Sequence, residues 1–144
     1  MTALELVVYG TPVPAGSKRA FTRPGGRVGV ADTAEKRMKP WRASLQAAAG
    51  DAMHGRELLQ GPLSLHVEFH LARPKGHYGV RGLRPSAPAY PTVKPDTTKL
   101  LRGLEDSLTG VIWRDDAQIV TQHAEKRYAN GPEHVRIRVL PIAG

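Results

Sequence analysis

The sequence predicts an α/β protein of the α+β type, in which a small mixed β-sheet packs against two main helices in the order β-α-β-α-β-β. Two observations lead to this prediction. Apolar residues alternate with polar ones in several short segments, and they recur at three- and four-residue intervals in two longer segments. The 144 residues have the length of one compact domain, so residues 1–144 are expected to form a single unit.

The chain is expected to open with a half-buried strand. Leu4, Leu6 and Val8 alternate with more exposed positions until Gly10 interrupts the pattern. Residues 11–31 are rich in Pro and Gly and contain no acidic side chain. This composition predicts a basic surface loop after the strand.

A helix is expected between this loop and the second strand. Asp32 and Thr33 can cap its start, and Pro40 is compatible with its first turn. The helix should end near Gly55. Its apolar face should contain five residues at helical spacing: Trp41, Leu45, Ala48, Ala49 and Ala52.

Residues 63–71 give the clearest strand pattern in the sequence, because apolar and polar residues alternate through the whole segment. His66 and His70 fall on its polar face. A second basic loop rich in Pro and Gly follows at residues 73–95. Loops of this length are usually functional or disordered.

The last third of the chain predicts a helix and two strands. Leucines at helical spacing begin after Thr98, and Gly110 is a typical stop after a helix. Strands are expected over residues 118–128 and 134–140, joined by a turn.

Composition narrows the classes of function. The formal net charge of +8 attracts polyanions such as nucleic acid, although it is also compatible with a merely soluble basic surface. The absence of cysteine excludes disulfides, thiolate zinc sites and cysteine nucleophiles. With no export signal and no apolar membrane span in the sequence, we expect a cytoplasmic protein.

Two other kinds of site are not favoured. The six histidines show no paired metal-ligand spacing, so a histidine metal site is not expected. No Gly-rich phosphate loop ending in Lys and Ser or Thr occurs, so no nucleotide cofactor is expected either.

Asp96 stands between the second basic loop and the second helix. One interpretation is an N-cap that accepts hydrogen bonds from the first helical amides. The other is a ligand of a divalent cation. The adjacent Asp115 and Asp116 have the same two interpretations, since their mutual repulsion is relieved either in a solvated turn or by a bound cation.

Three aspartates in basic surroundings suit phosphodiester hydrolysis. Magnesium prefers carboxylate oxygens and retains waters, and hydrolysis requires a water nucleophile. Lys99 and Arg102 follow on the second helix and can stabilise the charge that develops on the phosphate. Alternatively, Arg102 forms a surface ion pair with Asp106.

The two basic loops are the expected DNA-facing segments, because Lys and Arg release counterions when they bind phosphates. A solvated basic surface is the alternative for each residue. The candidate DNA-binding residues are Lys18, Arg19, Arg23, Arg27, Arg73, Lys75, Arg81, Arg84 and Lys94. Tyr78 and Tyr90 are candidates for stacking on unpaired bases.

Three stretches together resemble the signature of RusA-type Holliday junction resolvases. They run from Lys94 to Arg102, from Glu105 to Gly110 and from Asp115 to Val120. The agreement in element order extends over most of the chain. The resemblance implies a homodimer that binds branched DNA, namely four-way junctions, and nicks two strands symmetrically with Mg²⁺ or Mn²⁺.

The resemblance also implies roles for single residues. Asp96 corresponds to the first family aspartate and Asp116 to the later one, with Asp115 beside it. The family's catalytic lysine falls at Arg102. Thr98 stands where the family commonly has a further aspartate, so it would reach a metal only through a bound water and lacks the negative charge.

Two rival functions stay open from the sequence. One is a non-catalytic, basic nucleic-acid-binding module in which the aspartates are caps and turns. The other is a metal-dependent nuclease that acts on other branched or flapped DNA.

Overall fold

A computed structural model describes residues 3–16, 20–23, 27–30 and 33–143, with side-chain surroundings for residues 3–16 and 35–143. The main elements in chain order are β1 (Leu4–Tyr9), β2 (Ala20–Arg23), β3 (Arg27–Val30), α1 (Thr33–Met53), β4 (Leu63–Leu71), β5 (Tyr78–Gly79), β6 (Gly82–Leu83), α2 (Thr97–Leu108), β7 (Ile119–Tyr128) and β8 (His134–Pro141). The α+β class and the order of the six principal elements are therefore confirmed.

Strands β1, β8, β4 and β7 form one mixed sheet in that spatial order. β8 is antiparallel to both β1 and β4, whereas β4 and β7 are parallel. Parallel neighbours require a crossover connection, and α2 lies in the connection between β4 and β7. This crossover brings the start of β7 back beside the helix.

One face of the sheet carries the core. The alternating apolar residues of β4, including Leu65, Val67 and Phe69, are at most 1% exposed. Helix α1 buries Trp41 and Leu45, as its predicted apolar face requires. Each large apolar side chain buried in this way contributes about 1.5–3 kcal/mol relative to exposure. On the opposite face, His66 and His70 stack on histidines of neighbouring strands.

Two predictions about the first half of the chain are wrong. Residues 11–31 contain the antiparallel pair β2 and β3, because Phe21, Thr22, Val28 and Val30 favour strands more than the nearby Pro and Gly oppose them. Pro40 lies at the eighth position of α1 instead of in its first turn. Burial of Met38 and Trp41 on either side of Pro40 holds the helix together there.

The second basic loop also has short regular pieces. A 3₁₀ turn at Lys75–His77 precedes the two-residue strands β5 and β6. Elsewhere the boundaries agree closely with the sequence, since α2 begins one residue before the predicted Thr98 and β7 begins at Ile119. Among the described helices, none is both long and apolar enough to cross a membrane.

Candidate active site

Asp96 is the N-cap of α2. Its Oδ1 accepts a hydrogen bond from the backbone N–H of Lys99 at 2.9 Å. This satisfies one of the free amides at the helix start. The same contact fixes the orientation of an exposed carboxylate, and within the described residues its Oδ2 has no hydrogen-bond donor. The cap therefore leaves one oxygen of Asp96 open to a ligand.

Lys126 positions the segment that precedes Asp96. From β7, its Nζ donates to the backbone oxygens of Val93 at 2.8 Å and Pro95 at 2.9 Å. Because these bonds tie the second basic loop to the sheet, they fix where Asp96 enters the helix. No spacing in the sequence pointed to this role of Lys126.

Asp115 is also a cap. It precedes a 3₁₀ turn at Asp116–Gln118, and its Oδ1 accepts from Ala117 N at 2.9 Å. Gln118 completes a capping box, because its Oε1 accepts from Asp115 N at 3.1 Å. Gln118 follows Asp115 by three residues, which is the spacing of a capping box, so the sequence contained a pattern that predicts this arrangement.

Gln118 also anchors the turn to the body of the protein. Its Nε2 donates to the backbone oxygens of Leu59 at 2.9 Å and Gly61 at 3.0 Å. On the other side of the turn, Trp113 is fully buried and donates from Nε1 to Thr109 Oγ1 at 2.9 Å. The Asp115-Asp116 turn is thus held at both ends.

Asp116 itself is exposed, and its carboxylate forms no hydrogen bond or ion pair within the described part of the chain. The negative charge of Asp116 acts on Glu105 of α2, which is only 8% exposed. Burial raises the pKa of the Glu105 carboxyl, a hydrogen bond from Gln122 opposes this rise, and the negative charge of Asp116 adds to it. Asp116 therefore lies within electrostatic range of a buried acid.

Sequence reasoning did not assign a role to Glu105. The available signal was its position on the apolar side of α2, four residues after Leu101 and three before Leu108. Thr98, Arg102 and Glu105 follow one another at four- and three-residue intervals, so they lie along one side of the helix.

The predicted cationic residues of α2 have different surroundings. Arg102 is exposed, and it forms no ion pair with Asp106 in the part of the chain that the structure describes. Lys99 is half-buried, and its carbonyl oxygen accepts from Ala15 N at 2.9 Å. Arg102 is thus available to an external anion.

The three predicted aspartates do not form a ready-made metal cage. Within residues 3–16 and 35–143, no group of three or more His, Cys, Asp or Glu side chains is placed to hold a metal ion. Magnesium usually binds through one or two carboxylates and completes its shell with water and substrate phosphates. Asp96 and Asp116 each offer one carboxylate with an oxygen that has no partner among the described residues, which is the kind of ligand that this mode of binding uses.

The candidate DNA-binding residues fall into three groups. Lys18 and Arg19 lie outside the described residues, and Arg23 and Arg27 are register partners at the ends of β2 and β3. Four exposed cations extend from the second loop: Lys75, Arg81, Arg84 and Lys94. Arg73 differs from them, because it is half-buried and its guanidinium lies 4.3 Å from the ring centroid of Tyr128.

Comparison with known proteins identifies the family of the chain. The model of the family described as endodeoxyribonuclease RusA matches residues 10–140. A protein of Bacillus subtilis (strain 168), described as uncharacterized protein YqaN, is 29% identical over 144 residues, which cover 97% of this chain and 96% of that protein. The family match spans both aspartate caps, Asp116 and the two helices, and the chain belongs to the RusA family of endodeoxyribonucleases.

Proposed function

We propose that this protein is a magnesium-dependent, structure-selective endonuclease that nicks four-way DNA junctions. Membership of the family supports hydrolysis of phosphodiester bonds within DNA. The observation that carries the finer proposal is the pair of exposed carboxylates, Asp96 and Asp116, each with at least one oxygen free of hydrogen bonds among the described residues. Asp96 caps the helix that carries Arg102, and Asp116 lies in the turn between that helix and β7.

In this proposal Asp96 and Asp116 hold Mg²⁺, with Mn²⁺ as a substitute. Asp115 keeps the turn in place through its cap and adds negative charge to the site. When bound, magnesium supplies Lewis-acid activation of water and neutralises charge on the phosphate. The water oxygen forms a bond to phosphorus while a backbone P–O bond breaks, which leaves a phosphate monoester and a hydroxyl at the nick.

The cationic side chains of α2 stabilise the phosphate during this step. Arg102 is exposed and permanently protonated, so it can donate to two phosphate oxygens at once but cannot serve as a proton donor. Lys99 begins at the same helix end as Asp96 and adds a second positive charge. The role of Thr98 is weaker, because a hydroxyl reaches the metal only through a water.

We propose that DNA is held by Lys75, Arg81, Arg84 and Lys94 together with the basic residues of the first loop. The net charge of +8 supports strong dependence of binding on salt, since each phosphate contact releases counterions. Arg73 is better suited to support Tyr128 than to reach a phosphate, because its guanidinium also donates to the carbonyl oxygen of Pro88 at 2.7 Å.

We further propose that the protein acts as a homodimer. A two-fold assembly places one site on each of two symmetric strands of a junction. The outward face of the four-stranded sheet supports this proposal, because Val7 and Tyr9 are 39% and 65% exposed on it. Sedimentation or light scattering at micromolar concentration tests the assembly, and a monomeric mass would contradict it.

One structural observation favours a non-catalytic alternative. Asp96 and Asp115 both serve as caps, and capping would be their full role in a nucleic-acid-binding module that catalyses no reaction.

The proposed nuclease activity is tested with purified protein, a synthetic four-way junction and magnesium. We expect nicking by the wild type, and Asp116→Asn should abolish nicking while junction binding is preserved. A wild type that binds but never cuts with magnesium or manganese would leave only the binding module.

Selectivity for junctions is tested by comparing four-way junctions, flaps and linear duplex in one assay. We expect the junction to be cut fastest. Equal rates on linear duplex would remove the proposal of structure selectivity.

A further inference from the structure

A cavity of about 520 Å³ opens beside Asp96. Its walls come from the loop after β1, from the end of β4 at Ala72, from residues 91–96 and from the end of β7 at Tyr128. The volume falls within the range of about 300–1,000 Å³ that small organic ligands occupy. The proposed hydrolytic site shares only its Asp96 and Lys99 edge with this cavity.

Most of the cavity wall is apolar and stiff. Five prolines contribute to it: Pro12, Pro14, Pro74, Pro91 and Pro95. Because the proline ring fixes φ, such a wall changes little when a ligand enters. Tyr128 adds an aromatic ring, and the Arg73 guanidinium packs against one face of that ring.

Hydrogen bonds join the segments around the cavity. Glu133 accepts from Thr11 Oγ1 at 2.9 Å and from Ala72 N at 3.0 Å, which ties the first loop to the end of β4. Lys126 of β7 donates to the backbone oxygens of Val93 and Pro95, which ties the segment before Asp96 to the sheet. The cavity is therefore formed before any ligand binds.

The cavity lining also carries charged side chains. Three positively charged side chains line the cavity: Arg37, Lys94 and Lys99. The acidic residues are Asp96 and Glu133, and the carboxylate of Glu133 is already engaged by two donors. A lining that combines prolines, one aromatic ring and three cations matches a nucleotide, whose flat base is apolar on its faces and whose phosphate is anionic.

We propose that this cavity receives one unpaired nucleotide of the bound DNA, next to the phosphate that would be cleaved near Asp96. The inference rests on the proposed function, because it takes branched DNA as the ligand. A branch point offers bases that have lost a stacking neighbour, and the energy needed to extrude such a base is low. Base capture would then select the branch point and fix the register of the strand relative to Asp96.

The experiment has two parts. Variants with a large side chain fill the cavity, and DNA with an abasic site lacks the base that would enter it. Val93 is 63% exposed and lines the cavity, so Val93→Trp places a large side chain in it without disturbing the core. Ala72→Trp fills the cavity from the segment after β4. Ala47→Trp is the matched control, because Ala47 is exposed on α1, lies outside the proposed DNA-binding loops and does not line this cavity.

Binding of labelled four-way junctions is measured by fluorescence anisotropy in EDTA, with one abasic site placed in turn at each position around the branch point. For the wild type, one position should weaken binding by roughly 5- to 150-fold, the range for loss of one stacked base. Val93→Trp and Ala72→Trp should bind the intact junction as weakly as the wild type binds that abasic junction. They should lose nothing further on the abasic one, and Ala47→Trp should behave as the wild type.

Two results would overturn the proposal. One is a wild-type affinity that no abasic position changes. The other is a cavity-filling variant that weakens binding to intact and abasic junctions by the same factor. Micromolar binding of free deoxynucleoside monophosphate that Val93→Trp blocks, without any effect of abasic sites, would assign the cavity to a free nucleotide instead. Because the assay needs no cleavage, its failure is separate from a failure to nick DNA with magnesium.

Discussion

The side-chain amide of Gln122 in β7 donates a hydrogen bond to the buried carboxylate of Glu105 in α2. This contact joins the helix that begins at Asp96 to the strand that follows Asp116. The negative charge of Asp116 also contributes to the raised pKa of Glu105. Glu105 is therefore tied to β7 by a hydrogen bond and to the Asp115-Asp116 turn by electrostatics.

Glu105→Gln should change how stability depends on pH. Because burial raises the pKa of Glu105 in the folded protein, its stabilising effect is greatest below the ordinary value of 4.5 and is lost as pH rises through the raised pKa. At neutral pH the variant should therefore melt higher than the wild type, and this difference should shrink as the pH falls toward 4. Thermal unfolding in EDTA between pH 4 and 8 measures the difference, and a difference that does not vary with pH would contradict the expectation.

Asp96→Asn and Asp96→Ala should separate the cap from the chemistry. Asparagine caps a helix as well as aspartate does, so Asp96→Asn should retain stability, whereas Asp96→Ala should lose about 1 kcal/mol. Both variants should nick junctions more slowly by roughly 100-fold or more, as expected when an electrostatic contact in the transition state is lost. Urea unfolding and single-turnover cleavage give the two readouts. Full activity of Asp96→Asn would remove Asp96 from the metal site.

Thr98→Asp should strengthen the response to magnesium. The added carboxylate lies in the first turn of α2 and supplies the negative charge that the resemblance to RusA-type resolvases implies at this position. The magnesium concentration for half-maximal nicking should fall on the order of 10-fold. Thr98→Asn is the control, since it has the same size and no charge. Identical magnesium titrations for the two variants would count against a metal next to residue 98.

Gly103→Ala should destabilise the protein, because α2 passes close to the first loop there. A Cβ at Gly103 would lie 2.7 Å from Met38 Cε and 3.3 Å from both Ala15 N and Val13 O. The expected loss is about 1–3 kcal/mol in the free energy of unfolding. Gly50→Ala is the matched control, because a Cβ at Gly50 in α1 meets nothing within 4 Å and alanine gains about 0.5–1 kcal/mol in a helix. Chemical denaturation compares the two, and equal effects would refute the close approach.

The sequence alone determined the class of fold and the order of its six main elements. Alternation in residues 63–71 and leucine spacing after Thr98 report which face of each element is buried, and this information is local. The same reasoning identified Asp96 and Asp115 as residues with two interpretations. It misjudged Pro40, where burial of Met38 and Trp41 outweighs the tendency of Pro to interrupt a helix. It also misjudged the first loop, where strand-favouring residues outweigh the nearby Pro and Gly.

Only the tertiary structure decided which distant residues meet. Glu105 is a surface-compatible acid in the sequence, and its burial follows from the packing of α2 against β7. Lys126 and Tyr128 lie some thirty residues after the second loop, yet the parallel pairing of β4 with β7 brings them to that loop and forms the wall of the cavity beside Asp96. Contacts between residues so far apart depend on the register and direction of strands, which no local periodicity encodes.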